Sequence, residues 1–232
     1  MSVILAVDTS SAACSAALKV GDKLFERFEL TPKAHTRLVL PMIESVLEEA
    51  GLSLSDVEAI AFGRGPGSFT GVRIATSIVQ GLAYGADLPV VPVSTLAALA
   101  LQVARQEVGS LELLCAIDAR MNEVYWAAFQ YDEGELSIIS EERVTKPDRL
   151  PELANNRSAR RLGVGSGWQY SDEFPAWVGA TTAKVYADIE PRAAEIALLG
   201  ASAFEGGHGV SAQVALPVYL RDEVTWKKLP GR

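Results

Sequence analysis

Apolar residues run unbroken over positions 3–7 and stop at the polar cluster Asp8-Thr9-Ser10-Ser11. A continuous aliphatic run of that length predicts a strand buried on both faces. Positions 13–20 resume a strand pattern, Gly21-Asp22 turns the chain, and 24–30 follow, so an antiparallel meander of three strands is expected. The period then changes. Leu38, Val39, Met42, Ile43, Val46, Leu47 and Ala50 recur at helical spacing, with Gly51 where a helix should end. Pro41 lies inside this pattern, so the helix over 36–50 either begins just before it or kinks there. A helical turn at 54–57, a strand at 58–62, a glycine-rich turn, a helix at 70–85, a strand at 89–93 and a helix capped by Ser94 complete the first half.

The pattern then starts over. Positions 113–117 predict a buried strand ending in Asp118, 123–131 a second strand, and Asp132-Glu133-Gly134-Glu135 a turn into a third at 136–141. A helix start at 147–151, a short strand at 161–165 and a helix from 191 to about 204 follow. The repeat lies in the order of elements, not in residue identity. The expected division is a first lobe over 1–105, a second over 106–212 and a polar tail over 213–232. Two successive lobes, each opening on a strand that delivers an aspartate, resemble the two-lobed α/β architecture of actin-like ATPases and sugar kinases. In that architecture each lobe is a mixed sheet with flanking helices, and ligand lies in the cleft between them.

Composition narrows the function. A formal charge of -8 argues against this chain alone gripping nucleic acid, whose phosphates demand a basic surface. No apolar run approaches the ~20 residues of a membrane span. The apolar N-terminus lacks a basic leader and is broken by Asp8, which suits a strand better than a signal peptide. Cys14 and Cys115 sit in separate apolar contexts, the pattern of reduced core thiols in a cytoplasmic protein.

The stretch GRGPGSFTGVR (63–73) is the first candidate for chemistry. It is no P-loop, because no Gly-Lys-Ser/Thr follows Gly65 at the required spacing, and no dinucleotide fingerprint, because Thr70 stands where a third glycine belongs. Two readings stay open. Gly65, Gly67 and Ser68 either present free amides to an anion at a helix start, or make a sharp turn that only glycine tolerates. Asp8, Thr9, Ser10 and Asp118 are the other cleft candidates, as the acids and hydroxyls that would position magnesium, water and phosphate in an ATPase. Their supporting cast is thin. His35 and His208 form neither H-x-x-x-H nor H-E-x-x-H, and neither glycine-serine stretch matches a nucleophile elbow. Asp8 reads as a remnant of a nucleotide cleft, no residue is assigned as catalytic or metal-binding, and no cofactor is expected.

The helices offer more. In 71–85 one row of small residues runs Ser77, Gly81, Gly85 beside Arg73, Ile74 and Ile78. Glycine inside a helix costs about 1 kcal/mol relative to alanine, so its presence calls for a closely approaching element, from this chain or from another. The 36–50 helix carries apolar residues beyond one stripe, with Leu38 and Leu40 outside the main row, which suggests a second buried face.

From end to end the chain resembles the TsaB family, also called YeaZ, whose members take part in bacterial synthesis of threonylcarbamoyladenosine in tRNA. The resemblance rests on ILAVDTSSAACSAAL, AHTRLVLPMIESVLEEAG, GRGPGSFTGVRIATSIVQGLA, IDARMNEVYWAAF and PVYLRDEVTWKK, in that order. It implies a paralogue of TsaD, the catalytic chain, in which a histidine pair spaced H-x-x-x-H holds a metal at the head of the helix ending the first lobe. Here that region reads PVSTLAAL (92–99), without histidine. The implied role is a non-catalytic activator whose helices over 36–50 and 70–85 pair with TsaD, or with a second copy when TsaD is absent. Implied too are a third member, the ATPase TsaE, contact with tRNA only through the complex, and a nucleotide at the partner interface as the one candidate ligand. A stand-alone nucleotide-dependent enzyme built on Asp8, Thr9, Asp118 and the glycine turn is the rival from another class.

Overall fold

Strand β1 (Val3–Asp8) has its last five residues buried, and its neighbours explain why. It lies mid-sheet, between antiparallel β2 (Ala13–Val20) and parallel β4 (Ala59–Gly63), with β3 (Lys23–Leu30) and β5 (Val90–Val93) at the edges. The structure is a computed structural model and describes residues 2–154, 156 and 158–221. The expected tail falls partly outside the described residues, from 222 onward, and with it the whole DEVTWKK part of the last family block.

The first sheet runs β3-β2-β1-β4-β5. The second is built from β6 (Leu111–Arg120), β7 (Glu123–Asp132), β8 (Glu135–Thr145), β9 (Arg160–Val164) and β10 (Thr182–Tyr186), and runs β8-β7-β6-β9-β10. Both sheets therefore follow one topology: an antiparallel three-strand meander, then two parallel additions beside the first strand. The repeat suspected from element order is a repeat of strand connectivity.

Helices α1 (His35–Ala50) and α2 (Phe69–Ala86) cover one face of the first sheet, where Leu5, Val7, Leu18, Ile60 and Phe62 meet Val39, Val46, Ala75 and Val79. α1 begins six residues before Pro41 and runs through it. The carbonyl that Pro41 cannot bond is that of Arg37, and both residues are exposed on the solvent side of the helix, where the lost donor leaves no buried group unpaired.

The lobes do not follow the boundaries expected at 105 and 212. Helix α3 (Thr95–Ala104), counted with the first lobe, packs Leu96, Leu99 and Val103 among Leu113, Cys115, Phe129 and Leu162 of the second sheet. Helix α5 (Ala193–Glu205), counted with the second, packs Ile196, Ala197 and Ala201 on the remaining face of the first sheet. That face is lined by Ala6, Ala17, Ala59 and Ala61, and small side chains let the helix approach closely. After α5 the chain stays with the first lobe: Val210 bridges to Val90 and Ala215 joins the α1–α2 core. Periodicity identifies an apolar face but does not say which sheet it meets, and the exchange follows from that gap.

The far side of the second sheet is closed by Trp126, Trp168, Phe174 and, from the short helix α4 (Ala176–Thr181), Val178. The expected helix at 147–151 is one 3-10 turn, Pro147–Arg149. Arg161 and Glu112 form an ion pair inside this lobe with side chains 3% and 4% exposed, and Arg161 is satisfied further by Thr181 Oγ1 and the Ala154 carbonyl. Cys14 and Cys115 are buried free thiols, as the sequence implied. Burial, with the nearby Asp8 second, pushes the Cys14 thiol up to about 12, and burial raises Cys115 further.

Candidate functional site

Between the lobes lies a cleft of about 1280 Å3, lined from one side by Ser10, Gly67, Ser68 and Thr70 and from the other by Asp118, Arg120 and Ser166. The glycine stretch opens it. Arg64 leaves β4, Gly65 adopts a φ of +97° that side chains disfavour, and Ser68 caps α2 by accepting from the Gly71 amide at 3.2 Å. Gly67 and Gly71 are glycine for another reason. A Cβ at Gly67 would stand 2.4 Å from the Ser10 carbonyl oxygen, and one at Gly71 would stand 1.9 Å from that of Thr9.

The two turns that would cradle a phosphate therefore lie directly on each other. The Ser68 amide donates to the Ser10 carbonyl at 2.6 Å, and the Thr9 hydroxyl donates to the Gly71 carbonyl at 2.7 Å. From α3, the Thr95 hydroxyl reaches the Ser10 hydroxyl at 3.4 Å. The sequence left anion cradle and architectural turn both open; this geometry favours the turn.

Asp8 is withdrawn from the cleft. It is fully buried at the end of β1, where its Oδ1 accepts from the amide and hydroxyl of Ser10 at 3.1 and 3.0 Å. Its Oδ2 has no hydrogen-bond partner among the described residues. Burial outweighs the Ser10 bonds and raises its pKa to about 7, so at neutral pH the group is poised between charged and neutral. Asp118 does line the cleft. Its carboxylate accepts from the Arg120 amide at 2.9 Å and from the Tyr170 hydroxyl at 3.3 Å, and pairs with the Arg120 guanidinium at 3.4 Å. Among the described residues no group of three or more His, Cys, Asp or Glu is placed to hold a metal ion.

The second candidate is the outer face of α1 and α2, and here the expected residues divide. Val39, Met42, Ile43, Val46 and Leu47 are buried in the core of their own lobe, so the main apolar row of α1 is no surface. That corrects the expectation for these five: their row meets the chain's own sheet. Leu38 is half-buried, and Leu40 (44% exposed) stands outside. On α2 the expected row is open. Ser77, Gly81 and Gly85 are exposed, flanked by half-buried Arg73, Ile74 and Ile78 and by Tyr84 at 73% exposure. A Cβ added at Gly81 or Gly85 would meet nothing within 4 Å. Packing among the described residues therefore accounts for neither glycine.

At the head of this face the Arg73 guanidinium stacks on Phe69, 3.3 Å from the ring centroid, and on Tyr219 at 4.7 Å. Phe69 and Tyr219, which sequence reading passed over, are 67% and 48% exposed. An aromatic directly after a helix cap was the available signal for Phe69. Nothing local marked Tyr219, which arrives from the chain's far end.

Two α/β lobes of one topology around a cleft, with helices exchanged between them, define a chain of the actin-like ATPase and sugar-kinase class. Comparison with known proteins makes this particular. The family described as "TsaD: tRNA N6-adenosine threonylcarbamoyltransferase" matches residues 29–228. The protein of Escherichia coli named tRNA threonylcarbamoyladenosine biosynthesis protein TsaB is 45% identical, with 99% of each chain covered. Its namesake from Haemophilus influenzae is 42% identical over 99% of this chain and 98% of its own. The solved structure of YeaZ from Pseudomonas aeruginosa superposes with a TM-score of 0.88 at 43% identity, covering 95% of this chain and all of that one. The chain belongs to the TsaB/YeaZ family. No helix among the described residues is long and apolar enough to cross a membrane.

Proposed function

We propose that this chain is a non-catalytic partner and activator of a TsaD-like catalytic chain, in the complex that adds a threonylcarbamoyl group to adenosine 37 of tRNAs decoding ANN codons. The observation that carries the reading is the open glycine row of α2. Gly81 and Gly85 together weaken the helix by up to about 2 kcal/mol, and no described residue uses the room they leave. A second helix packed against Gly81 and Gly85, between Ile74, Ile78 and Tyr84, would use it. The same face serves a second copy of the chain when the catalytic partner is absent, and a TsaE-like ATPase completes the assembly in the cytoplasm. The relatives' names support the pathway, and the joined turns and inward Asp8 support the absence of independent catalysis.

Reconstitution tests the proposal. With the TsaD-like chain, the ATPase, the threonylcarbamoyl adenylate and tRNA, modification should need this chain and should fall with Gly81→Leu, whose monomer still folds. Equal modification without the chain would defeat it. ATP hydrolysis by the isolated chain, lost in Asp8→Ala, would favour a stand-alone enzyme instead.

A further inference from the structure

Glu142 lies where β8 carries one residue more than its neighbour. Trp126 pairs with Arg143 and Ala128 with Ser140, so Glu141 and Glu142 together oppose Ala127. A bulge of this kind re-aims a side chain. The Glu142 carboxylate points out of its own lobe, accepting from Arg64 Nη2 at 2.9 Å and from the Ser94 hydroxyl. Its side chain is only 10% exposed and that of Arg64 24%, so the pair is largely shielded from water.

Both partners belong to the first lobe, at its joint with the second. Ser94 is the residue through which the chain passes from β5 into α3, and its oxygen also caps that helix by accepting from the Ala97 amide at 3.1 Å. Glu142 thus sits at the positive end of α3, where a carboxylate is favoured. Arg64 is fixed on both sides of its stem: its amide donates to the Val93 carbonyl and its carbonyl accepts from the Val218 amide, each at 2.9 Å. An arginine so anchored transmits a pull on its guanidinium to the backbone of the glycine turn.

We propose that Glu142, with Arg64 and Ser94, is an interlobe latch that fixes the opening angle of the cleft. Packing of α3 on the second sheet holds the helix, and the Thr95 amide and hydroxyl tie its first residue to the Gly65 carbonyl and the Ser10 hydroxyl. Glu142 adds a tie that runs from a strand of the second sheet itself. Glu142 is a positioning residue here, and the inference stands independently of partner docking.

Pulsed electron-paramagnetic-resonance distances across the lobes test it in the full chain. Spin labels go on Glu44→Cys of α1 and Asp132→Cys at the end of β7, both exposed, while the native thiols are buried. The parent pair should give one narrow distribution. Glu142→Ala and Arg64→Ala should each broaden it at least twofold or add a second population, and Glu142→Gln, which keeps one acceptor oxygen for Arg64 and turns its NH2 to the Ser94 hydroxyl, should give an intermediate width. Arg27→Ala, which breaks the Arg27–Glu49 pair inside the first lobe, should leave it unchanged. Distributions for both alanine variants that superimpose on the parent would overturn the latch, as would equal broadening by Arg27→Ala. Should an alanine variant not fold, Glu142→Gln against the parent carries the same decision.

Discussion

The amide of Ser68 donates to the carbonyl of Ser10 across 2.6 Å, joining the glycine turn of the first lobe to the turn that follows its first strand. Such proximity is available only because Gly67 and Gly71 lack side chains. Gly71→Ala should destabilise the chain by about 3 kcal/mol, the upper end for overpacking, since the obstructing atom is a backbone carbonyl that cannot rotate away. Urea titration of the variant checks this, and a loss below the parent's error would mean the turns separate freely.

Gly81 and Gly85 should behave in the opposite way. With open space above both, Gly81→Ala and Gly85→Ala should each stabilise the isolated chain by about 0.5–1 kcal/mol. For a chain of this size that corresponds to a rise in Tm of roughly 1–4 °C. The same substitutions should weaken association with the partner helix. Calorimetry of the monomer and a binding titration on the same samples separate the two effects.

Asp8 should make stability fall as pH rises. Its folded pKa of about 7 lies above the unfolded value of 3.8, so the folded chain keeps a proton that the unfolded chain has released. The contribution is fully present below about pH 4 and is lost progressively as pH climbs through 7. Between pH 5 and pH 8 the loss from this group is about 2–3 kcal/mol. Asp8→Asn, neutral throughout, should gain on the parent by that amount over the same interval, as read from denaturation midpoints at pH 5 and pH 8.

The Glu112–Arg161 pair should be costly to break and cheap to replace. Glu112→Ala strands a buried guanidinium and should lower stability by about 3–5 kcal/mol, whereas joining it to Arg161→Met should recover most of the loss. A double-mutant cycle in urea measures both, and purely additive losses would show that the two residues act separately.

Much of this fold was legible in the sequence because its strands announce themselves. Residues 3–7 are apolar throughout and stop at polar groups, and Ser94 caps its helix as expected. Strand β10 escaped because it is a half-exposed edge, TAKVY, whose pattern carries no buried alternation. The apolar row of α1 was visible, but its destination was not: Val39 and Val46 meet their own sheet, and periodicity looks the same for a core as for an interface. The inward turn of Asp8 depended on rotamer and on the Ser10 bonds, which spacing does not encode. The α2 glycines were the most informative residues, since their cost was calculable in advance and only the structure showed that no neighbour among the described residues offsets it.

The exchange of α3 and α5 bears on how the polypeptide acquires its shape during synthesis. Until residues 193–205 leave the ribosome, the alanine-lined side of the earliest sheet stays bare, although all five of its strands have long since emerged. Neither half can mature alone, and a chain truncated before position 193 would offer that naked surface to whatever protease or chaperone arrives first.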